Sequence, residues 1–297
     1  MKETVKYIRI ILSYIHGLIL CVVYCLWPKR KLVCRESHPR VIVSLTSYGR
    51  RVSQTLKYPV MSMLLQTKRP DKIIVWLDND NFSESNLPSN LKRLVKYGVD
   101  VCFCSDIKSY KKLIPSLEKY PDDIIITIDD DLIYRRKTLE CLLAKHKKYP
   151  DSIICTSGHV PAFDANGLLP YKEWQMYLGR TESKLVFPLG GTGTLYPPHS
   201  LYKDTTNSSL FMQLSPKADD VWFWIMALLN GRMVRLAESG PMFRHLDLLY
   251  QFTHKQSSLM EDNVEGNMND TQIAAVFSHY GIKNDKGYIE KMISEMQ

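Results

Sequence analysis

Three consecutive aspartates, Asp129, Asp130 and Asp131, are the side chains of this sequence best suited to chemistry. They close the apolar run 123–128, whose β-branched residues predict a buried central strand of a parallel sheet. Three like charges at a strand end repel one another and need a cation or a water-facing position. Ligands of open α/β sheets bind at the carboxyl ends of strands, where carboxylates can hold a divalent ion against phosphate oxygens. The triplet therefore indicates a metal and phosphate site, and the alternative is a solvated acidic turn.

The elements that must position this triplet alternate between strand and helix patterns. Strands are predicted at 40–46, 72–77, 101–104 and 123–128, and helices at 55–66, 90–97 and 110–119. This alternation predicts an α/β fold with a doubly wound, mostly parallel sheet flanked by helices. No Gly-x-Gly-x-x-Gly or Walker loop follows the first strand, which disfavours a dinucleotide fold or a P-loop. The second half is less regular, with a Gly-rich segment at 190–194, a helix at 219–229 and a helical C-terminus.

Composition narrows the class of partner and the compartment. The 297 residues are 45% hydrophobic and 24% charged, as in an ordinary globular protein, and the net charge of +8 favours anionic partners. Because no periodic aromatic and basic pattern is present, nucleic acid is not expected as a partner. The seven cysteines are an odd number without zinc-site or disulfide spacing. Reduced thiols, and hence a cytosolic environment, are the expectation.

The N-terminus predicts contact with a membrane. Residues 10–27 carry no charge, which is a length just sufficient to cross a bilayer core. Lys6, Arg9 and His16 share one helical face, which indicates a helix lying in the interface over its first half. Cations are more numerous after the stretch than before it, so we expect an inner-membrane protein whose bulk faces the cytoplasm. The alternatives are a buried globular helix and a lumenal enzyme, which sequons at Asn81, Asn207 and Asn269 permit.

An ordered set of motifs carries a family resemblance. The segments are Val43-Ser44-Leu45-Thr46-Ser47-Tyr48, 65–77, 109–115, the aspartate triplet, 190–197 and 218–222. Over residues 40–245 the chain resembles bacterial GT-A glycosyltransferases of the family-2-like, Asp-x-Asp type, such as those of capsule or O-antigen assembly. The resemblance implies a GT-A-like fold and a nucleotide-sugar donor.

The resemblance also implies a Mn²⁺ or Mg²⁺ ion held against the donor diphosphate. Asp131 would be the direct metal ligand and Asp129 would lie nearer the ribose. A shift of one residue in the match would exchange these roles with those of Asp130. His245 would supply a third metal ligand, and the alternative for a lone histidine is a structural role.

Further positions are expected around the donor and the acceptor. The implied donor-binding residues are Thr46, Tyr48, Arg51, Asp78, Lys111, Asp129, Asp130, Gly191 and Thr192. The resemblance makes Asp220 the catalytic base, with Asp219 in support. The alternatives are a turn cap for Asp78, a solvated face for Lys111, a hairpin turn for the glycines and a helix cap for Asp220.

The function implied is transfer of a sugar from a nucleotide-sugar donor to a hydroxyl of a glycan or lipid-linked saccharide, with inversion. A nucleotidyl- or phosphosugar transferase using the same aspartates, and a non-catalytic binding protein, are the alternatives. The expected organisation has four parts. These are a membrane anchor or interfacial helix at 1–35, a nucleotide-sugar-binding half at 36–135, an acceptor-binding half at 136–250 and a helical segment at 251–297.

Overall fold

The computed structural model describes most of the chain. It covers residues 31–34, 36, 38–176, 185–237, 243–245 and 267–294, together with the helical positions 15, 19, 22, 23 and 26. No helix within these residues is long and apolar enough to cross a membrane. The predicted membrane segment 10–27 lies outside the described residues except at those helical positions.

The strands and helices of the described residues have the following bounds. The strands are β1 (Val41–Thr46), β2 (Lys72–Asp78), β3 (Val99–Cys104), β4 (Ile124–Thr127), β5 (Leu132–Tyr134), β6 (Ile153–Cys155), β7 (Gly158–Val160), β8 (Phe163–Asp164), β9 (Gly167–Leu168), β10 (Gln175–Met176), β11 (Phe187–Pro188), β12 (Thr194–Tyr196), β13 (Val234–Leu236) and β14 (Phe243–His245). The helices are α1 (Arg51–Gln54), α2 (Lys57–Leu64), α3 (Ser89–Val95), α4 (Ile114–Lys119), α5 (Thr138–Lys148), α6 (Ser208–Leu214), α7 (Asp219–Leu229), α8 (Met268–Tyr280) and α9 (Lys286–Ser294). Short 3₁₀ turns cover Glu84–Asn86, Lys108–Lys112, Tyr171–Glu173, Gly190–Thr192 and Lys203–Thr206.

A seven-stranded sheet in the order β13-β6-β12-β4-β1-β2-β3 forms the centre of the molecule. β1 pairs in parallel with both β2 and β4, and β2 pairs in parallel with β3. β12 is antiparallel to its neighbours β4 and β6, while β13 is parallel to β6. Smaller sheets join β7 with β10 and β11, β5 with β14, and β8 with β9. The central sheet is therefore mostly parallel, as predicted.

Both faces of the central sheet are covered. Alternate side chains of β1 enter different cores, with Ile42 on one face and Val43 on the other. The first core packs against α7, α8 and α9, and the second against α1, α2, α3 and α5. A strand buried on both faces reads as a continuous apolar run, which is why 123–128 was identifiable as a central strand. The predicted doubly wound α/β fold is confirmed.

Prolines set where two predicted helices start. The expected helix 55–66 is observed as α2, Lys57–Leu64, with Pro59 in its first turn, where the missing N–H is tolerated, and α1 precedes the expected range. The expected helix 110–119 is a 3₁₀ turn followed by α4, whose first turn contains Pro115. α7 has the predicted bounds Asp219–Leu229.

The carboxyl edge of the sheet gathers the predicted site residues. β1 ends at Thr46, β2 ends at Asp78, and the aspartate triplet directly follows β4 and Ile128. Because β12 is antiparallel to β4, the Gly-rich segment before β12 lies at this same edge. The fold thus brings together segments that are far apart in the sequence.

Candidate active site

The three aspartates of the triplet point in different directions. Asp130 is buried, where it accepts hydrogen bonds from Ser47 Oγ at 2.5 Å and Arg51 Nη1 at 2.9 Å. Burial raises the pKa of Asp130, although the Arg51 charge and the Ser47 hydroxyl oppose that rise. Asp130 therefore fixes the loop from inside, in contrast to its expected place among the donor-binding residues.

Asp129 and Asp131 stay at the surface on either side of Asp130. Their side chains are 41% and 23% exposed. The two carboxylates are the donor type that Mn²⁺ and Mg²⁺ take in proteins, and the ion can keep waters and phosphate oxygens as its other ligands. The residues present thus fit a divalent ion. No group of three His, Cys, Asp or Glu side chains placed to hold a metal ion occurs within the described residues.

His245, the expected third ligand, is described by its backbone only. In β14 it pairs with Leu132, the residue that follows Asp131, so the chain at His245 passes beside the triplet. Its side chain lies outside the described part of the structure. The metal-ligand role of His245 stays a prediction.

The Gly-rich segment packs directly against the triplet. The Asp129 N–H donates to the Gly191 carbonyl at 3.1 Å, and the Tyr134 hydroxyl donates to the same oxygen. Thr127 Oγ1 donates to the Gly190 carbonyl at 2.7 Å. A Cβ at Gly191 would lie 1.6 Å from Asp129 Oδ2, so only glycine permits this close approach.

Asp220 contacts the same Gly-rich segment at Gly190. Its Oδ1 accepts a hydrogen bond from the Gly190 N–H at 3.1 Å, across 30 positions of sequence. α7 has no side-chain cap at its N-cap residue, Ala218, and Asp220 Oδ1 bonds the Gly190 N–H of another loop. The helix-cap interpretation of Asp220 is therefore not supported. Burial raises the pKa of Asp220 to about 7, with the Asp219 charge adding to the rise.

A buried lysine connects the two halves of the site. Lys112 Nζ lies 3.1 Å from Asp129 Oδ1 and 3.1 Å from Asp219 Oδ2, and its side chain is only 6% exposed. Burial disfavours its charge, but Asp129, Asp219 and Asp220 outweigh that cost and hold its pKa well above the usual value. Asp219 thus pairs with Lys112, and its supporting catalytic role stays a prediction.

The sequence predicted that Lys111, and not its neighbour Lys112, would contact the donor. Lys111 Nζ pairs with Asp106 and contacts no residue of the triplet in the described structure. Successive residues of a 3₁₀ turn point about 120° apart, so Lys111 and Lys112 cannot face the same partners. The sequence contained both lysines but gave no signal of where the turn would direct each one.

The loop expected to bind the nucleotide is largely occupied by its own contacts. Thr46 Oγ1 donates to the Trp76 carbonyl at 2.9 Å. Arg51 bonds Asp130 and, at 3.2 Å, Asp131, and these charges hold its pKa above the usual value against the effect of burial. Tyr48 is 44% exposed and lies beside the Arg51 guanidinium. Tyr48 and Arg50 are the exposed side chains of this loop.

Asp78 and Thr192 make local bonds where ligand contacts were expected. Asp78 Oδ1 accepts from the backbone N–H and the side-chain amide of Asn81, which is the turn-capping role. Thr192 Oγ1 donates to the Leu189 carbonyl at 2.8 Å, and its own carbonyl accepts from Thr156. These contacts show both residues shaping loops, which leaves their donor-binding roles untested.

Replacing Gly191 with alanine is expected to disable the site without unfolding the protein. The added methyl would displace the Asp129 carboxylate, and a misplacement of about 1 Å can cost roughly 10²-fold in turnover. Gly287→Ala is the matched control, because its Cβ would meet nothing closer than 3.4 Å. Steady-state kinetics and thermal unfolding of both variants check this prediction. Equal activity of the two would contradict the packing of Asp129 on Gly191.

The sequence matches no protein-family model and no curated protein. Among solved structures, TarS residues 1–349 of S. aureus in complex with UDP is similar, with a TM-score of 0.48 and 11% identity over 86% of this chain and 70% of that chain. Glucosyl-3-phosphoglycerate synthase of Mycobacterium tuberculosis in complex with Mn²⁺, UDP and glucosyl-3-phosphoglycerate is also similar. Its TM-score is 0.45, with 15% identity over 88% of this chain and 90% of that chain. Likenesses of this extent carry no functional argument by themselves.

Proposed function

We propose that this protein is a metal-dependent glycosyltransferase that moves a sugar from a nucleotide-sugar donor to an acceptor hydroxyl. One observation carries the proposal. Asp129 contacts Gly191 and Asp220 contacts the neighbouring Gly190, and Lys112 links Asp129 to the start of α7. A pair of partly exposed carboxylates and a separate carboxylate of raised pKa therefore share one edge of the sheet.

Asp129 and Asp131 would hold Mn²⁺ or Mg²⁺ on the donor side. The ion would supply Lewis-acid neutralisation of the charge that builds on the departing nucleoside diphosphate. Hydrogen bonds from two cations fix the positions of these carboxylates. Arg51 donates to Asp131, and Lys112 donates to Asp129. Asp130 anchors Arg51, so all three aspartates contribute although only two face outward.

Asp220 would act on the acceptor side as the general base. A carboxylate removes the proton of the attacking hydroxyl most effectively when its pKa is near the working pH, and burial moves Asp220 in that direction. The Gly190 N–H orients one oxygen of Asp220 and leaves the other for the acceptor. A base that activates the acceptor directly implies inversion at the anomeric carbon.

The rate of transfer is expected to rise with pH around neutrality. The base must be deprotonated to accept a proton, and the pKa of Asp220 is raised to about 7. Activity should therefore be low below about pH 6 and approach a plateau above about pH 8. A profile of kcat/KM against pH at fixed Mn²⁺ measures this. A flat profile from pH 5 to pH 9 would contradict the role of Asp220 as base.

A donor screen tests the proposed function. The purified full-length protein is incubated with a panel of nucleotide sugars in Mn²⁺ or in EDTA, and donor hydrolysis or protection from thermal unfolding is recorded. We expect at least one donor to respond, and only in Mn²⁺. A parallel incubation with nucleoside triphosphates and sugar 1-phosphates, in which pyrophosphate is measured, tests the nucleotidyl-transferase alternative. No response to any donor would overturn the proposal.

We further propose that the acceptor is a glycan or a lipid-linked saccharide at the cytoplasmic face of the inner membrane. Support comes from the uncharged stretch 10–27 and the cations after it. Cys102, Cys104, Cys141 and Cys155 are free thiols, as expected of a reducing compartment. Fractionation of cells that express the full chain tests this placement.

A further inference from the structure

A cavity lies at the amino edge of the sheet, opposite the candidate active site. It has a volume of about 810 Å³ and is bounded by the starts of β1 and β4 and by α5. Val33, Pro70 and Leu143 give it an apolar lining, while Lys68, Arg69 and Lys147 bring positive charge to it. None of its lining residues belongs to the candidate active site.

The positive charge continues beyond the cavity. Arg135 and Arg136 are exposed and joined to the same loop, since the Arg135 carbonyl accepts from Gln66 Nε2 and Arg136 Nε donates to the Leu65 carbonyl. The Arg69 guanidinium donates to the Lys31 carbonyl at 2.9 Å, which brings Lys31 alongside. We define the basic face as Lys31, Lys68, Arg69, Arg135, Arg136 and Lys147, all of them exposed.

The acidic groups at the cavity are already engaged. Glu140 accepts a hydrogen bond from Thr67 Oγ1 at 2.8 Å, and Asp71 is buried and accepts from the Val41 N–H at 2.7 Å. Among the described residues no carboxylate pairs with Lys68 or Lys147. The basic face therefore presents a net positive charge to the surroundings.

The basic face adjoins the apolar N-terminal segment. Val23, from the uncharged stretch, packs against Leu65 and Ile133, next to the loop that carries Lys68 and Arg69. Leu26 and Val33 are 79% and 78% exposed. Apolar side chains beside a ring of cations match the boundary between the acyl chains and the headgroups of a bilayer.

We propose that the basic face docks on anionic phospholipid headgroups, so that the protein meets the membrane through charge as well as through its N-terminal segment. Juxtamembrane lysines and arginines are attracted by the negative surface potential of the cytoplasmic leaflet. The cavity is wide enough for a headgroup, whose phosphate Lys68, Arg69 and Lys147 would meet, and its apolar lining suits the glycerol and the first acyl carbons.

This orientation has a consequence for the acceptor, which rests on the proposed function. β2 runs from the amino edge to the carboxyl edge over 7 residues, which corresponds to about 20 Å. With Lys68, Arg69 and Lys147 on the membrane, the candidate active site would open up to roughly that far above the headgroups, and less far on the side of Arg135, which follows Asp131 by four residues. A lipid-linked acceptor would then be a glycan already long enough to reach it.

Vesicle flotation of the full-length protein tests the docking. We compare neutral phosphatidylcholine vesicles with vesicles that contain about one third phosphatidylglycerol. The wild type should prefer the anionic vesicles by about tenfold or more at low salt, and the preference should fall at 0.5 M salt, where roughly 4 Å of Debye screening length remains. Lys68→Gln/Lys147→Gln should lose most of this preference and keep its binding to neutral vesicles.

Lys283→Gln/Lys286→Gln is the matched control, because it removes the same charge from exposed positions near α9. It should keep the wild-type preference. Equal loss in both double variants would show that only net charge matters, and an absent preference in the wild type would show that anionic lipid is not recognised. Either result overturns the proposal. Thermal unfolding of each variant confirms folding, and none of these outcomes depends on transferase activity.

Discussion

Asp220→Asn should lower sugar transfer by about 10²–10⁴-fold while leaving metal-dependent donor binding unchanged. Asparagine keeps the size of the side chain and its bond from the Gly190 N–H, but it cannot accept the proton of the acceptor hydroxyl. Single-turnover transfer and donor affinity, measured on the same preparation, separate the two effects. The loss should appear in turnover and not in affinity.

Asp270→Asn is the matched control for Asp220→Asn. Asp270 also lies in the first turn of a helix and accepts one backbone hydrogen bond, from Tyr171. Any general cost of removing a first-turn carboxylate should therefore appear in both variants. If Asp220→Asn were as active as this control, Asp220 would not be the base and the acceptor half of the proposal would fail.

Lys112→Met should lower the free energy of unfolding by about 3–5 kcal/mol. The substitution leaves Asp129, Asp219 and Asp220 without the buried cation that lies among them. Like charges would then face one another at low exposure, so the pKa of Asp220 should rise further. Urea unfolding at pH 7 and at pH 5 measures both effects, because protonation at lower pH should recover part of the loss.

Lys111→Met is the matched control for Lys112→Met. Lys111 is equally buried, but its partner Asp106 is 48% exposed and can be solvated when the lysine is lost. We expect a cost of about 1 kcal/mol for this variant. Equal stability of the two variants would contradict the position of Lys112 as the link within the site.

Much of the fold could be predicted from the residues because burial on both faces leaves a plain signal. The run 123–128 shows no alternation of apolar and polar residues, and the structure places its isoleucines in two separate cores. α7 was predicted at its observed bounds because its large apolar residues follow a pair of aspartates. The starts of the helices that contain Pro59 and Pro115 were predicted less well, since proline fits a helix only near its start.

The site could be predicted in part. The sequence identified the segments that meet, because each follows or precedes a predicted element at the carboxyl edge. It could not assign directions within a segment. Asp130 points inward because Ser47 and Arg51 donate hydrogen bonds to it there. Lys112 faces the triplet because successive residues of the 3₁₀ turn point in different directions, and Lys111 points away. Such choices depend on contacts across some 80 positions of sequence, which spacing alone does not reveal.

The most direct test of the account is metal-dependent nucleotide binding by calorimetry. Wild type, Asp131→Asn and Asp220→Asn are each titrated with UDP, GDP, ADP and dTDP in Mn²⁺ and again in EDTA. The account predicts that wild type and Asp220→Asn bind at least one nucleotide with similar affinity in Mn²⁺ and not in EDTA. Asp131→Asn should bind it at least tenfold more weakly, because a hard cation loses a charged ligand. Binding that is unaffected by EDTA, or equally strong in Asp131→Asn, would contradict the account.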